Sequence, residues 1–440
     1  MDDPDSPVYP TRLPETCGSC HSDPTFVEKF DIPRVQPIEA YRASVHAQLV
    51  EAGLPGPTCN DCHDSHGIYP GFDPRSSVSH RNVSSTCGKC HEDIVSEYAE
   101  SVHGEAAMKG IPEAPACTDC HGEHRILSPA QPDSPTYATN MPKMTCERCH
   151  ADVTLAAKFG LDVDKVGQYE DSYHGLASQS GRVTVANCGS CHGVHDVLPS
   201  SDPRSHIHPE NLADTCGQCH PGAGETFAIG EIHIDEHDRA NAGVYWVRQI
   251  YLWLIFGTIG FMLVHNGLDL YRKARGGIPR APSGEVPDEG VRMVPGFRIA
   301  HMIMLISFAI LVYSGFALKY PEAWWAAPLR STGEFDLRGW VHRFGAILML
   351  AAVAVHFVHL AIDQRARACF VRGMVPTLSD VREFRERIRW YLGLRPDPPH
   401  TPTLGYPEKM EYLALMWGIV VMTVTGFLLW FENWTLARLP

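Results

Sequence analysis

Cys117-Thr118-Asp119-Cys120-His121-Gly122-Glu123-His124 places two cysteines and two histidines within eight residues. A C-x-x-C pair alone suits zinc or a redox dithiol. The histidine directly after the second cysteine points elsewhere. C-x-x-C-H is the attachment pattern of c-type haem, in which both thiols bond the porphyrin and the adjacent imidazole reaches the iron. The pattern recurs seven times, as Cys17/Cys20/His21, Cys59/Cys62/His63, Cys87/Cys90/His91, Cys117/Cys120/His121, Cys146/Cys149/His150, Cys188/Cys191/His192 and Cys216/Cys219/His220. These motifs use fourteen of the fifteen cysteines. Neither a four-ligand zinc site nor a disulfide framework requires a histidine after every pair. We therefore expect seven covalently bound haem c groups, each with the motif histidine as its first axial ligand.

The motifs sit in a repeat. Residues 87–124 carry a C-G-K-C-H motif, then Tyr98-Ala-Glu-Ser101-Val-His103, then the opening stretch ending at His124. Residues 17–66 follow the same order with Tyr41, Ser44, His46 and His66, and residues 146–195 with Tyr169, Ser172, His174 and His195. A last unit stops after its single motif. The linkers Asp73-Pro-Arg-Ser76 and Asp202-Pro-Arg-Ser205 are also alike. The repeat offers a second axial histidine for each iron: His46, His66, His103, His124, His174, His195, and His233 for the last unit, where His206, His208 and His237 compete. His80 and His208 are read as structural. Two histidines per iron leave no open coordination position, which suits electron transfer. Spacing does not say which second histidine serves which haem.

The chain has 440 residues and a formal net charge of −14, which argues against nucleic acid as a partner. Its halves differ. Residues 1–240, the seven-haem region, contain no long apolar run; the haems themselves must form its core. Residues 241–440 contain four runs of 19 or 20 residues without charge, Gln249–Leu268, Ile299–Leu318, Phe344–Ile362 and Tyr412–Phe431, each long enough to cross a bilayer. The expected fold is mostly α with extensive loop: a haem-packed domain of three two-haem units plus one, followed by a four-helix transmembrane bundle. Tryptophans cluster near the ends of the runs, as at a membrane interface. Lys and Arg number six in loop 269–298, nine in loop 363–411 and four in loop 319–343. The positive-inside rule puts the first two loops in the cytoplasm and the haem region outside. Covalent haem attachment outside the bacterial cytoplasmic membrane gives the same periplasmic side independently. The N-terminus shows no export signal, so a preceding leader is expected.

Ionisable residues inside spans are candidates for function. Here they are His265, His301, His342, His356 and His359. His342 and His356 lie about 21 Å apart along one helix, near the same face, as two stacked b-type haems require.

The segments Arg298-Ile-Ala-His301…Tyr313-Ser-Gly315, Arg338-Gly-Trp-Val-His342-Arg-Phe-Gly345…His356-Phe-Val-His359 and Lys409…Thr425-Gly426-Phe-Leu-Leu-Trp430 resemble three successive helices of the membrane cytochrome b of formate dehydrogenases and nickel-iron hydrogenases. The whole chain resembles inner-membrane fusions of a multihaem cytochrome c with such a cytochrome b. The resemblance implies one or two haem b groups. It gives His301 to a cytoplasmic-side haem b and His342 to a periplasmic-side one, with partner ligands from one further helix. The membrane domain is accordingly expected to be incomplete at its C-terminus. Its missing ligands are expected from a longer chain or another membrane subunit, with His356, His359 and His265 as stand-ins.

The function expected is electron transfer in the bacterial inner membrane between quinone and periplasmic redox proteins, in the sense of a quinol:cytochrome c-type oxidoreductase. Two other readings stand beside it. One is a relay or anchoring subunit of a larger respiratory or photosynthetic complex. The other is a multihaem reductase with an open iron. Cys369 is read as a reduced bystander.

Overall fold

A computed structural model gives the fold. It describes all residues except 1–2, 31, 33–35, 225–226, 228–231, 236, 277–294, 400–403, 437 and 439–440, and among helical residues also omits the side chains of 369, 372 and 436. Cys369 thus lies outside the described side chains. Among the described residues there are helices and turns but no strand. The chain divides into two units, one of residues 1–233 with 330–336 and 436–440, the other of residues 234–329 with 337–435.

The first unit is a string of short helices joined by turns. Two helical settings alternate along the motifs. The first, third, fifth and seventh motifs follow or end helices that begin upstream, such as Leu13–His21, Val83–Gly88 and Leu212–Gly217. The second, fourth and sixth each make a five-residue turn that starts at the first cysteine: Cys59–His63, Cys117–His121 and Cys188–His192. These turns are too short to persist alone. They are fixed at the N-terminus by side chains three residues on: Asp61 accepts from the Thr58 N–H at 2.7 Å and Asp119 from the Ala116 N–H at 2.7 Å, while the Ser190 hydroxyl accepts from the Asn187 N–H at 3.1 Å. Each ends in a residue of positive φ, namely Asp64, Gly122 and Gly193.

Between the motifs, Tyr-x-x-Ser-x-His starts a further helix in each of the three two-motif units. Ser44, Ser101 and Ser172 cap helices Val45–Glu51, Val102–Met108 and Tyr173–Gln179 by accepting the N–H of the third residue on. This is the ordinary preference for serine at such a position. The tyrosines hold the chain ahead of the even motifs: their hydroxyls donate to Pro57 O at 2.9 Å, Pro115 O at 2.7 Å and Ala186 O at 3.0 Å. The linkers repeat three times rather than twice. Asn82, Asn140 and Asn211 each donate to a proline and a serine carbonyl, at Pro74/Ser76, Pro132/Ser134 and Pro203/Ser205. The middle copy, Pro132-Asp133-Ser134, lacks the arginine that made the outer two recognisable.

The first unit has almost no hydrocarbon core. Its fully buried side chains, Ser44, Ser76, Ser101, Ser134 and Ser205, are serines, accompanied mainly by alanine and valine. Each hydroxyl bonds locally or caps a turn, so burial costs little.

In the second unit, four helices are long and apolar enough to cross a membrane: Ala242–Gly276, Pro295–Lys319, Leu337–Ile362 and Tyr406–Trp430. They extend beyond the apolar runs because basic and aromatic ends continue the helices. The second and third pack closely along small residues. Ala300, Ser307, Ser314 and Ala317 of one are buried, as are Gly345, Met349 and Ala352 of the other. A Cβ at Gly345 would stand 2.9 Å from Ile310 Cγ2. Two further helices, Gln364–Met374 and Leu378–Tyr391, occupy what the sequence presented as a basic loop. The second of them is tied to the fourth span by Lys409 Nζ donating to Asp380 at 2.7 and 2.9 Å, a pair whose side chains are 7% and 12% exposed.

Candidate functional site

The motif histidines of the first unit face other histidines across narrow gaps. Ring centroids are 6.4 Å apart for His46/His91, 6.0 Å for His63/His124 and 6.2 Å for His103/His150. They are 6.2 Å for His121/His195, 6.1 Å for His174/His220 and 6.2 Å for His192/His233. Aromatic rings in general contact at 4.5–7 Å, so distance alone decides little. The membership of the pairs decides more. Every pair joins one motif histidine to one second-ligand candidate, and no residue appears twice. Two imidazoles on opposite sides of one iron, with metal–nitrogen bonds of about 2.0 Å, have centroids about 6.3 Å apart. Among the described ring contacts, His21 and His66 have no such partner. His206, read only as a competitor, lies against Asp196 at 2.7 Å; His80 lies 3.6 Å from Asp119.

Burial, and after it the facing ring, favours the neutral form of five of these imidazoles. His103 is pushed down to about 4 by burial and by His150. His46, His63, His121 and His192 are lowered for the same two reasons, burial first and the facing histidine second. A neutral imidazole is the form that binds metal. His233 also has a fixed tautomer: Nδ1 lies 2.8 Å from the Lys165 carbonyl, which leaves Nε2 for a metal.

The first cysteines of the motifs are gathered in the same way. The thiol of Cys59 hydrogen-bonds Cys17, Cys87 bonds Cys117, and Cys146 bonds Cys188. The first thiols of both motifs in one unit therefore meet. The sequence presents all fourteen motif cysteines as equivalent, and here the structure differs. Cys90 and Cys219 are exposed, whereas the other twelve are partly buried. Cys20 lies 3.9 Å from the hydroxyl of its neighbour Ser19, and no thiol of another motif is bonded to it among the described contacts. The reason is position on the chain. Helices Val83–Gly88 and Leu212–Gly217 end just before Cys90 and Cys219, which therefore sit on the turns that follow. Cys20 belongs to the first unit, where no earlier unit covers it.

Histidine pairs at iron-spanning distance, thiols beside them and a missing apolar core all fit covalently attached haem. Nothing in sequence spacing signals the histidine pairing, because the partners lie 41 to 74 residues apart.

The span histidines are arranged differently. His342 Nδ1 lies 2.9 Å from Ser314 Oγ, on the neighbouring helix. His356 Nε2 lies 3.0 Å from Tyr412 Oη, with Phe297 and Phe370 around the ring. His265 meets the hydroxyls of Tyr406 and Tyr391, and Tyr391 donates onward to Asp269 at 3.1 Å. His359 lies 3.8 Å from Asp363, and His301 is exposed. Among the described residues, no ring contact joins any two of these five. His342 keeps Nε2 for a metal, with Ser314 as the orienting hydroxyl. His356 spends Nε2 on Tyr412.

Comparison with known proteins covers the C-terminal region. Residues 292–439 match the family model described as prokaryotic cytochrome b561. The cytochrome b556 subunit of a formate dehydrogenase from Haemophilus influenzae is 24% identical over 133 residues, 30% of this chain and 51% of that protein. The chain thus spans about half the length of that curated relative. No solved structure matches. The C-terminal third of the chain is therefore similar to membrane cytochromes b, and the family match together with four spanning helices gives the protein a membrane location.

Proposed function

We propose that the protein carries electrons between quinone in the bacterial inner membrane and periplasmic redox partners, using seven haem c groups in residues 1–240 and b-type haem among the spans. The observation that carries this reading is the set of six histidine pairs, each uniting a motif histidine with a repeat histidine at 6.0–6.4 Å. Bound haem supplies a one-electron carrier of tunable potential. The chain's residues supply the rest. The cysteines would hold each haem covalently, and the six histidine pairs would leave their irons no position for water or substrate. This favours transfer over reduction of a bound substrate.

The membrane half adds the b-type part. Its likeness to prokaryotic cytochrome b561 and to a formate dehydrogenase cytochrome b subunit supports a haem b held by His342, oriented by Ser314. His301, and His356 once freed from Tyr412, are the further ligand candidates, joined by ligands from another membrane subunit. Quinol releases two protons with its two electrons, and His265 with Tyr391 and Asp269 offers groups that accept and pass protons. A periplasmic haem region is supported by the basic loops 269–298 and 363–411.

The test is cofactor content and quinol reactivity of protein produced with a haem-attachment system. The expected result is seven c-type haems per chain, some b-type absorbance, and reduction of the c-type bands by a soluble quinol. Zinc or unmodified thiols in place of haem c would overturn the reading.

A further inference from the structure

We propose that each internal iron of the array is clamped by two successive repeat units, and that every pair of neighbouring units exchanges two histidines. The inference rests on the haem c reading above and specifies its ligand sets.

With the four motif-bearing repeats of residues 1–233 counted as first, second, third and last unit, the exchange follows one rule throughout. The mid-unit histidines point forward. His46 of the first unit faces His91 of the second, His103 of the second faces His150 of the third, and His174 of the third faces His220 of the last. The histidines after the even motifs point backward. His124 of the second unit faces His63 of the first, His195 of the third faces His121 of the second, and His233 faces His192 of the third. Local pairing is the obvious alternative, since His124 follows His121 by only three residues. The left-handed turn at Gly122 directs the chain away from the motif's own helix instead.

Contacts between units that involve no histidine hold the same register. The Val45 N–H, at the start of the helix bearing His46, donates to Ile126 O of the following unit at 2.9 Å. The Val102 N–H, beside His103, donates to Val197 O at 2.9 Å. Inside the motifs, Lys89 donates to the Asp61 carbonyl at 3.2 Å and Arg148 to the Asp119 carbonyl at 3.4 Å. The second thiols follow the same junctions, with Cys90 near Cys62, Cys149 near Cys120 and Cys219 near Cys191. The odd motif of each unit thus docks on the even motif of the unit before it. Contacts between first thiols join the two motifs within a unit, while histidines join the units to each other. The haems consequently lie in chain order.

The test uses full-length, haem-loaded protein. His124→Met is made alone and in a background lacking the second haem, Cys59→Ala/Cys62→Ala. The readouts are haem number by mass and the count of low-spin bis-histidine irons by electron paramagnetic resonance. Exchange predicts that His124→Met alone retains seven haems but converts one iron. In the six-haem background, the same substitution converts none, because its iron is already gone. Loss of a further bis-histidine iron in that background would assign His124 to His121 and overturn the proposal. If the double-cysteine variant does not fold, His103→Met in Cys146→Ala/Cys149→Ala asks the same question at the next junction. Absence of haem c from the parent protein would instead defeat the underlying reading, so the two failures are distinguishable.

Discussion

The residue that follows each even motif gives a prediction whose size can be worked out. Asp64, Gly122 and Gly193 have φ/ψ of 62°/173°, 79°/177° and 80°/170°. This region is essentially reserved for glycine, and a side chain there costs about 1–3 kcal/mol. Asp64 bears that cost with no side-chain hydrogen bond among the described residues. Asp64→Gly removes the strain but adds unfolded-state freedom worth about 0.5–1 kcal/mol. The net expectation is a stabilisation of about 1 kcal/mol, a roughly fivefold shift in the folding equilibrium. The two glycines respond oppositely and unequally. A Cβ at Gly122 meets nothing nearer than Arg125 O at 3.7 Å, so Gly122→Ala costs only the backbone term. At Gly193 a Cβ would lie 2.1 Å from Asp196 Oδ1, and Asp196 also holds His206 at 2.7 Å. Gly193→Ala should therefore cost at least about 1 kcal/mol more than Gly122→Ala, because Asp196 must give up its position. Guanidinium unfolding of the haem-loaded protein, followed by Soret absorption, measures all three. A midpoint for Asp64→Gly at or below the parent value, or equal losses for the two alanine variants, would refute the reasoning.

Asn140→Ala removes two hydrogen bonds to Pro132 and Ser134 carbonyls and should destabilise the first unit by about 1–2 kcal/mol in the same assay. Lys409→Met takes the ammonium from the buried Asp380 carboxylate, leaving it only its Thr377 donors, and should cost roughly 2–3 kcal/mol, with Lys409→Met/Asp380→Leu recovering part of it, less the lost Thr377 cap, in thermal unfolding in detergent. Burial raises the Asp380 carboxyl, but the Lys409 ammonium and the Thr377 N–H outweigh it and hold the group below its ordinary value. That contribution is present above the ordinary carboxylate range and fades as pH falls through the lower folded value. An acid titration of stability should show this loss in the parent and not in the Lys409→Met/Asp380→Leu variant. Ser314→Ala frees Nδ1 of His342 and should weaken b-type haem retention about tenfold while leaving haem c content unchanged, read from the pyridine haemochrome ratio.

Much of the fold was legible because its signals are local. A C-x-x-C-H motif is five residues long, and an apolar span announces itself in 19 or 20. The Tyr-x-x-Ser-x-His stretches were visible as repeats, and their capping follows from serine chemistry. What escaped sequence reading depends on distance through space. The pairing of His124 with His63 rather than with a histidine of its own unit is set by a left-handed residue and by contacts such as Val45 to Ile126. The unequal enclosure of the thiols escaped for the same reason: the motif around Cys90 or Cys219 reads like any other until the helix ending ahead of it is seen. The third linker copy escaped because its carbonyls are tied by Asn140, while the arginine that marked the other copies is absent. The helices at 364–374 and 378–391 escaped because their many arginines resemble a loop until their packing against Lys409 is seen.

The serine-lined interior of the first unit has a consequence for the life of the protein in the cell. A stretch of 233 residues with scarcely any large buried hydrocarbon side chain cannot offset the entropy of its own ordering. If its motifs hold haem c as proposed, cofactor supply would decide whether this half folds. A cell short of iron or porphyrin would accumulate degradable chain rather than an inactive reserve, making abundance itself a gauge of haem availability.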